Sequence, residues 1–264
     1  MSLPGRKNTD PLYKEGLMMW KIRMLLTIVL LLSVHFMPAG TVGAATFTVN
    51  TTNDTVDGTP GNGVCADSEG NCSLRAAIME ANALSGADAI HIPAGTYVLT
   101  LAPVDGFDDS AAGGDLDITD NLTINGAGAE TTIIDGDNKY VVFDTRATVT
   151  ISGVTVTKGY QGCGVGGGIV NRHGSLTITD SIITGNKAYQ CYSTGGSGGG
   201  IFNDGYYKNA QLTIINSTVS NNSAYGSVPS GGGVISGKAG DGTVTLTIIN
   251  STITGNATVD TWGG

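Results

Sequence analysis

Charge is scarce in this chain. Only 13% of its 264 residues are charged, and 13 basic residues face 22 acidic ones, a formal net charge of −9. Binding to nucleic acid, or to anionic lipid, rests on Lys and Arg at phosphates, so the balance argues against both partners. Aromatic residues make up only 6%, so a core has to be built from Ile, Val and Leu. The three histidines, His35, His91 and His173, do not cluster, and the four cysteines include no C-x-x-C pair. That spacing argues against zinc. Over most of the chain a helical period is missing as well, which disfavours helical repeat proteins.

Glycine is what the chain has in excess, at 41 residues. It follows no period of three, and the aliphatic content is high, so neither collagen nor a disordered tail fits. Instead the glycines punctuate a repeat. "GGGIVNRHGSLTITDSIITGN" starts at Gly166, "GGGIFN" at Gly198 and "GGGVIS" at Gly231. Gly168 to Gly200 is 32 residues and Gly200 to Gly233 is 33, a period that signals a solenoid or array.

Each copy holds three short extended pieces, in the first copy "GGGIVN", "SLTITD" and "SIITGN". Apolar and polar residues alternate, Thr and Ile favour strands, and Asn, Asp and Gly bound each piece. Three strands per turn describe one coil of a parallel β-helix, with coils stacked at about 4.8 Å. Asn186, Asn222 and Asn256 fall at matching turns and are expected to stack with side-chain hydrogen bonds. The GGG blocks let the backbone bend sharply or approach a neighbour closely. Upstream, Asp115 to Gly159 reads as two further coils and "AIHIPAGTYVLTL" from Ala89 as the opening one.

The N-terminus carries an export address. Lys21 and Arg23 precede the apolar run Met24 to Met37, followed by Pro38 and small residues through Ala45. That is the order of a cleaved signal peptide. The run of 14 is short of the roughly 20 residues that span a bilayer. No second such segment follows, so no transmembrane segment is expected in the mature chain. An even count of cysteines fits an oxidising compartment. Cys65 and Cys72 enclose the polar turn "ADSEGN". Cys163 and Cys191 each shortly precede a GGG block, and equivalent positions in adjacent coils lie within disulfide reach.

"SLRAAIMEANAL", Ser73 to Leu84, is the one helical stretch. Leu74, Ala77, Ile78 and Ala81 share a face and Ser73 is the expected N-cap. A solenoid needs its terminal core covered, so this helix is expected to be the N-terminal cap. "CSLRAAIMEAN" from Cys72, followed by "IHIPAGTY", resembles the CSLREA-type N-terminal region of secreted bacterial β-helix proteins. Ala76 stands where the usual wording has Glu, which would close a capping box. The downstream GGG blocks and "NST" elements are similar, more loosely, to the repeats of polymorphic outer-membrane proteins. Together the resemblances cover most of residues 46–264. They imply a right-handed parallel β-helix, export and surface residence, and no established reaction.

Motifs that carry chemistry are few. "GCGVGG", Gly162 to Gly167, matches G-x-G-x-x-G but lacks a following helix, and "GGVISGKA" from Gly232 has Ala239 where a P-loop needs Ser or Thr. Asp105, Asp108, Asp109, Asp115, Asp117 and Asp120 offer hard oxygen ligands for Ca²⁺, with Asp115 and Asp117 the candidates retained. Their spacing matches neither an EF-hand nor the nonapeptide Ca²⁺ repeat, and turn-forming Asp in a solvated loop is the plainer reading. A polysaccharide lyase needs a base and a hydrolase a carboxylate pair. The repeats offer Lys158, Arg172, Lys187, Lys208 and Lys238, the acids Asp180 and Asp204 at turns that carry Asn in other copies, and the pair Arg172–His173. The sequons at Asn216 and Asn250 are explained by the turn ladder without glycans.

The expected organisation is an extension and signal peptide over residues 1–45, a cap over 46–88, and coils of an all-β, pectate-lyase-like right-handed parallel β-helix over 89–264. Gly263-Gly264 would open a fourth GGG block, so further coils or an anchor domain are expected beyond it. The expected function is a non-catalytic stalk or adhesin-like surface, secreted or on a bacterial outer surface, partnered by an extracellular glycan or cell surface. No cofactor is required. The alternative is a polysaccharide lyase or glycoside hydrolase with its site on a coil face.

Overall fold

Short alternating pieces cannot bury an apolar face alone, and here each one buries it against its copies in the coils above and below. The computed structural model describes residues 19, 43–103, 110–189, 197–206, 208–226, 230–237 and 242–260. The expected signal segment, Cys191 and Gly263-Gly264 lie outside them. Contacts divide the chain into Met1–Thr41 and Val42–Gly264, and the fold is that of the second unit.

Among the described residues, four wholly parallel sheets wind into a right-handed β-helix. The first sheet holds Thr46–Thr48, Asp88–Ile92, Leu122–Gly126, Thr148–Ser152, Ser175–Thr179, Ala210–Ile215 and Val244–Ile249. The second holds Gly95–Val98, Thr132–Asp135, Thr155–Thr157, Ile182–Thr184, Thr218–Ser220 and Thr252–Thr254. The third holds Leu116–Ile118, Phe143–Thr145, Ile169–Arg172, Ile201–Asp204 and Val234–Gly237.

A fourth sheet corrects the expectation of three strands per coil. Tyr160–Gln161, Lys187–Tyr189, Ser223–Gly226 and Ala257–Asp260 pair in parallel between the second and third sheets. Among the described residues the earlier coils show no such strand. The fourth sheet's strands are two to four residues long, and the inward residue of the two middle ones, Ala188 or Ala224, is small and fully buried. That leaves too little alternation for a period to show.

Inside, side chains align in columns. Ile90, Ile124, Ile151, Ile178 and Ile214 occupy one register through five coils, and all are fully buried. Each contributes about 1.5–3 kcal/mol by burial. In the last described coil the same columns continue in register, with Leu246 39% and Ile248 44% exposed.

The expected Asn ladder is present. Asn186 Nδ2 donates to Asn222 Oδ1 at 2.9 Å, and Asn222 Nδ2 to Asn256 Oδ1 at 3.0 Å. A second ladder stands at the end of the third sheet, where Asn171 Nδ2 donates to Asn203 Oδ1 at 2.7 Å and Asn203 Nδ2 to Ser236 Oγ at 2.9 Å. The GGG blocks are packed as tightly as a missing Cβ allows. A Cβ on Gly167 would lie 2.4 Å from the carbonyl oxygens of both Gly199 and Lys187.

The helix spans Leu74–Ala83, with Ser73 Oγ accepting from the Ala76 N–H at 3.0 Å. The expected apolar face is buried, and so are Arg75, Ala76 and Glu80. A Glu in place of Ala76 would therefore face a fully buried site. Glu80 accepts the backbone N–H groups of Gly61 and Gly63. Arg75 donates to Asp54 Oδ1 at 2.6 Å and to the carbonyls of Ala111, Gly114 and Asp115. The helix thereby ties the loops before and after it to the first coil.

Candidate functional site

Two places on the outer surface repeat across coils, one charged and one without charge. The charged one lies on the third sheet. Alternation sends Leu116 and Ile118 inward and Asp117 outward, and Asp117 is in register with Asp144 on the next coil. Two stacked carboxylates repel unless a cation stands between them. Arg146 supplies it, at 3.6 Å from Asp117 and 3.5 Å from Asp144, and Arg172 Nε reaches Asp144 Oδ2 at 2.6 Å. The aspartate side chains are 1% and 4% exposed and the arginines 34%. An acid–base pair for polysaccharide cleavage has to reach the polymer, and guanidinium stays protonated at any physiological pH. The arrangement suits a structural ion-pair network better than a base and an acid.

Asp115 is buried and its carbonyl accepts from Arg75, while Asp117 faces Arg146. A cation at Asp117 would compete with that guanidinium. Among the described residues no three His, Cys, Asp or Glu side chains gather in a way that could hold a metal ion. Asp105, Asp108 and Asp109 lie outside the described residues. Asp180 has φ 48°, as do Asn216 and Asn250 at the matching turns. Asp204 departs from expectation, because its register partners are Arg172 and Gly237 rather than Asn. "GCGVGG" joins the strand Tyr160–Gln161 to Ile169–Arg172 with no helix after it. Lys158 pairs with Asp135 at 2.6 Å, and this hydrogen bond raises its pKa. Cys65 and Cys72 form a disulfide with Cα atoms 5.1 Å apart. Cys163 is disulfide-bonded too, and its expected partner Cys191 lies outside the described residues.

The uncharged place is the outer face of the first sheet. Three outward columns cross five coils. The first runs Asn121, Thr148, Ser175, Gln211 and Thr245, the second Thr123, Thr150, Thr177, Thr213 and Thr247, and the third Asn125, Ser152, Thr179, Ile215 and Ile249. Three columns of five make fifteen positions without one charge, on a chain of net charge −9. A groove of about 340 Å³ follows the first column, lined by Asn121, Thr148, His173, Ser175, Asn209 and Gln211 among others. In "SLTITD" the apolar Leu176 and Ile178 point inward and Thr177 between them points outward. The outward column was legible in the same letters.

On the fourth sheet, tyrosines stack. The rings of Tyr189 and Tyr225 are 4.3 Å apart and 6° from parallel, and Tyr160 continues the row at 5.3 Å. Partial burial, together with Tyr225 and Tyr160, raises the Tyr189 pKa. The ring faces are spent on one another, so the row reads as a structural ladder.

Among the described residues no helix is long and apolar enough to cross a membrane. Comparison with protein-family models, curated proteins and solved structures found no match to this chain.

Proposed function

We propose that the protein is an exported β-helix, secreted or on a bacterial outer surface, that acts as a non-catalytic, adhesin-like binding surface. The observation that carries this reading is the outer face of the first sheet, repeated in register over five coils with fifteen uncharged positions. Such a face can engage an extended partner by many equal contacts, and it contains neither a nucleophile–base pair nor a carboxylate pair. The CSLREA-like helix region and the repeats similar to those of polymorphic outer-membrane proteins support export and surface display. The signal-peptide-like order of residues 21–45 supports the same. The experiment is retention of labelled, purified chain on a glycan array and on intact cells. Saturable retention on either fits the reading, and absence from every glycan and cell surface overturns it.

A second reading, polysaccharide lyase or hydrolase, has one observation in its favour, the clustering of Asp117 and Asp144 with Arg146 and Arg172. It requires release of reducing or unsaturated sugar ends that Asp144→Asn abolishes.

A further inference from the structure

Resting on the surface-binding reading, we infer that the groove and threonine column of the first sheet bind a neutral polysaccharide, laid along the solenoid axis.

Charge comes first. Among the described residues lining the groove His173 alone is titratable, and the fifteen outward positions beside it carry no charge. An acidic polymer would meet no cation there and would approach a chain of net charge −9. A basic one would find no carboxylate.

Hydrogen-bonding chemistry comes next. Asn, Gln, Ser and Thr each donate and accept, which is what a sugar hydroxyl requires. The groove offers the amides of Asn121, Asn209 and Gln211 and the hydroxyls of Thr148 and Ser175. Two of these amides are held in place, since Asn121 Oδ1 accepts the Thr148 N–H at 3.0 Å and Asn209 Oδ1 accepts the Thr243 N–H at 2.9 Å. Among the described residues neither NH₂ group has a protein acceptor. His173 sits at the rim with φ 60°, its N–H bonded to the Asp204 carbonyl at 3.1 Å.

Length and stiffness argue for a polymer rather than a single sugar. Thr123, Thr150, Thr177, Thr213 and Thr247 recur once per coil, at about 4.8 Å. Threonine is β-branched and stiff at χ1, so little side-chain entropy is lost when a partner lines up on the column. Methyl groups between the hydroxyls offer apolar contact to the C–H faces of sugar rings.

The test uses the full chain and four neutral insoluble or gelled polymers: cellulose, chitin, starch and galactomannan, with polygalacturonate gel as the acidic comparison. Retention on at least one neutral polymer, unchanged by added salt, is expected. Thr150→Ala/Thr177→Ala/Gln211→Ala should weaken it about tenfold, three lost hydrogen bonds being more than enough for that. Thr157→Ala/Thr184→Ala, on the second sheet, should leave it unchanged. Circular dichroism checks that each variant is folded. Should the triple variant misfold, Thr177→Arg, which places bulk and charge on the column, is expected to give the same loss. Retention on no neutral polymer, retention on polygalacturonate alone, or equal retention by folded triple variant and parent overturns the inference. Binding to cells without binding to any neutral polymer overturns it too, while leaving the surface-binding reading standing.

Discussion

Asn222 sits directly over Asn186, one coil on, and its Oδ1 accepts both the Nδ2 and the backbone N–H of Asn186, at 2.9 and 3.0 Å. Its own Nδ2 donates to the Ile183 carbonyl and to Asn256 Oδ1. Both Asn186 and Asn222 are fully buried. One side chain therefore satisfies the turns of three coils.

Asn222→Ala is expected to cost about 3 kcal/mol, because it strands buried donors on Asn186 and an acceptor on Ile183. Asn256→Ala removes the same three bonds one coil on, those accepted from the Asn222 N–H and Nδ2 and the one donated to the Val219 carbonyl, and should cost a comparable amount. Urea midpoints of both variants measure the loss. Midpoints equal to the parent's would show that the ladder does not carry the turns.

Gly200→Ala places a Cβ 2.6 Å from the Gly233 carbonyl oxygen and 2.9 Å from Asn222 Nδ2. Overpacking of this kind costs about 1–3 kcal/mol. Gly237→Ala meets nothing within 4 Å and should stay within about 0.5 kcal/mol of the parent. Thermal melts of the pair separate a steric role for the GGG block from a general need for glycine.

The repeat made the coils legible because each must present the same inward residues to the next. Leu176, Leu212 and Leu246 share one register, as do Ile178, Ile214 and Ile248. The Asn186–Asn222–Asn256 ladder was legible for the same reason. The Asn171–Asn203 ladder was visible as letters in "IVN" and "IFN" but not as a role, since its rungs belong to the third sheet, where one apolar position precedes the turn. Contacts between unlike segments left no periodic trace. Arg75 and Asp54 are 21 residues apart and Glu80 and Gly61 are 19, and nothing repeats to announce them. The Asp117–Asp144–Arg172 cluster was hidden likewise, its members belonging to coils whose sequences diverge.

Arg75→Met should cost about 3–5 kcal/mol, the usual cost of leaving one partner of a buried ion pair alone. Asp54 is 3% exposed and would lose the guanidinium that faces it. Three backbone carbonyls, of Ala111, Gly114 and Asp115, lose donors in the same step. Arg75→Lys should rescue only part of this, because one ammonium cannot reach both Asp54 and the carbonyls. Chemical denaturation of both variants reads the order.

Acid should loosen the loop that precedes the helix through Asp67. The Asn71 N–H holds its carboxyl below the ordinary value of 3.8, with help from the Thr55 hydroxyl and the Glu69 N–H. A carboxyl depressed in the folded state stabilises that state above its unfolded pKa, and the contribution fades as pH falls through the folded one. Asp67→Asn should melt earlier than the parent above the ordinary carboxyl value of 3.8 and converge with it as the pH falls below that value. A constant gap across the acid range would contradict the assignment.

Whether the surface binds without cutting is tested most directly by following protein and polymer in one tube. Purified chain is incubated with a panel of neutral and acidic polysaccharides. The protein retained on each, and the reducing or unsaturated ends released, are measured over time. The account expects saturable retention with no release of ends above the protein-free control. Release of sugar ends that grows with protein concentration and disappears in Asp144→Asn would contradict it, and would make the buried carboxylates of the third sheet an active site.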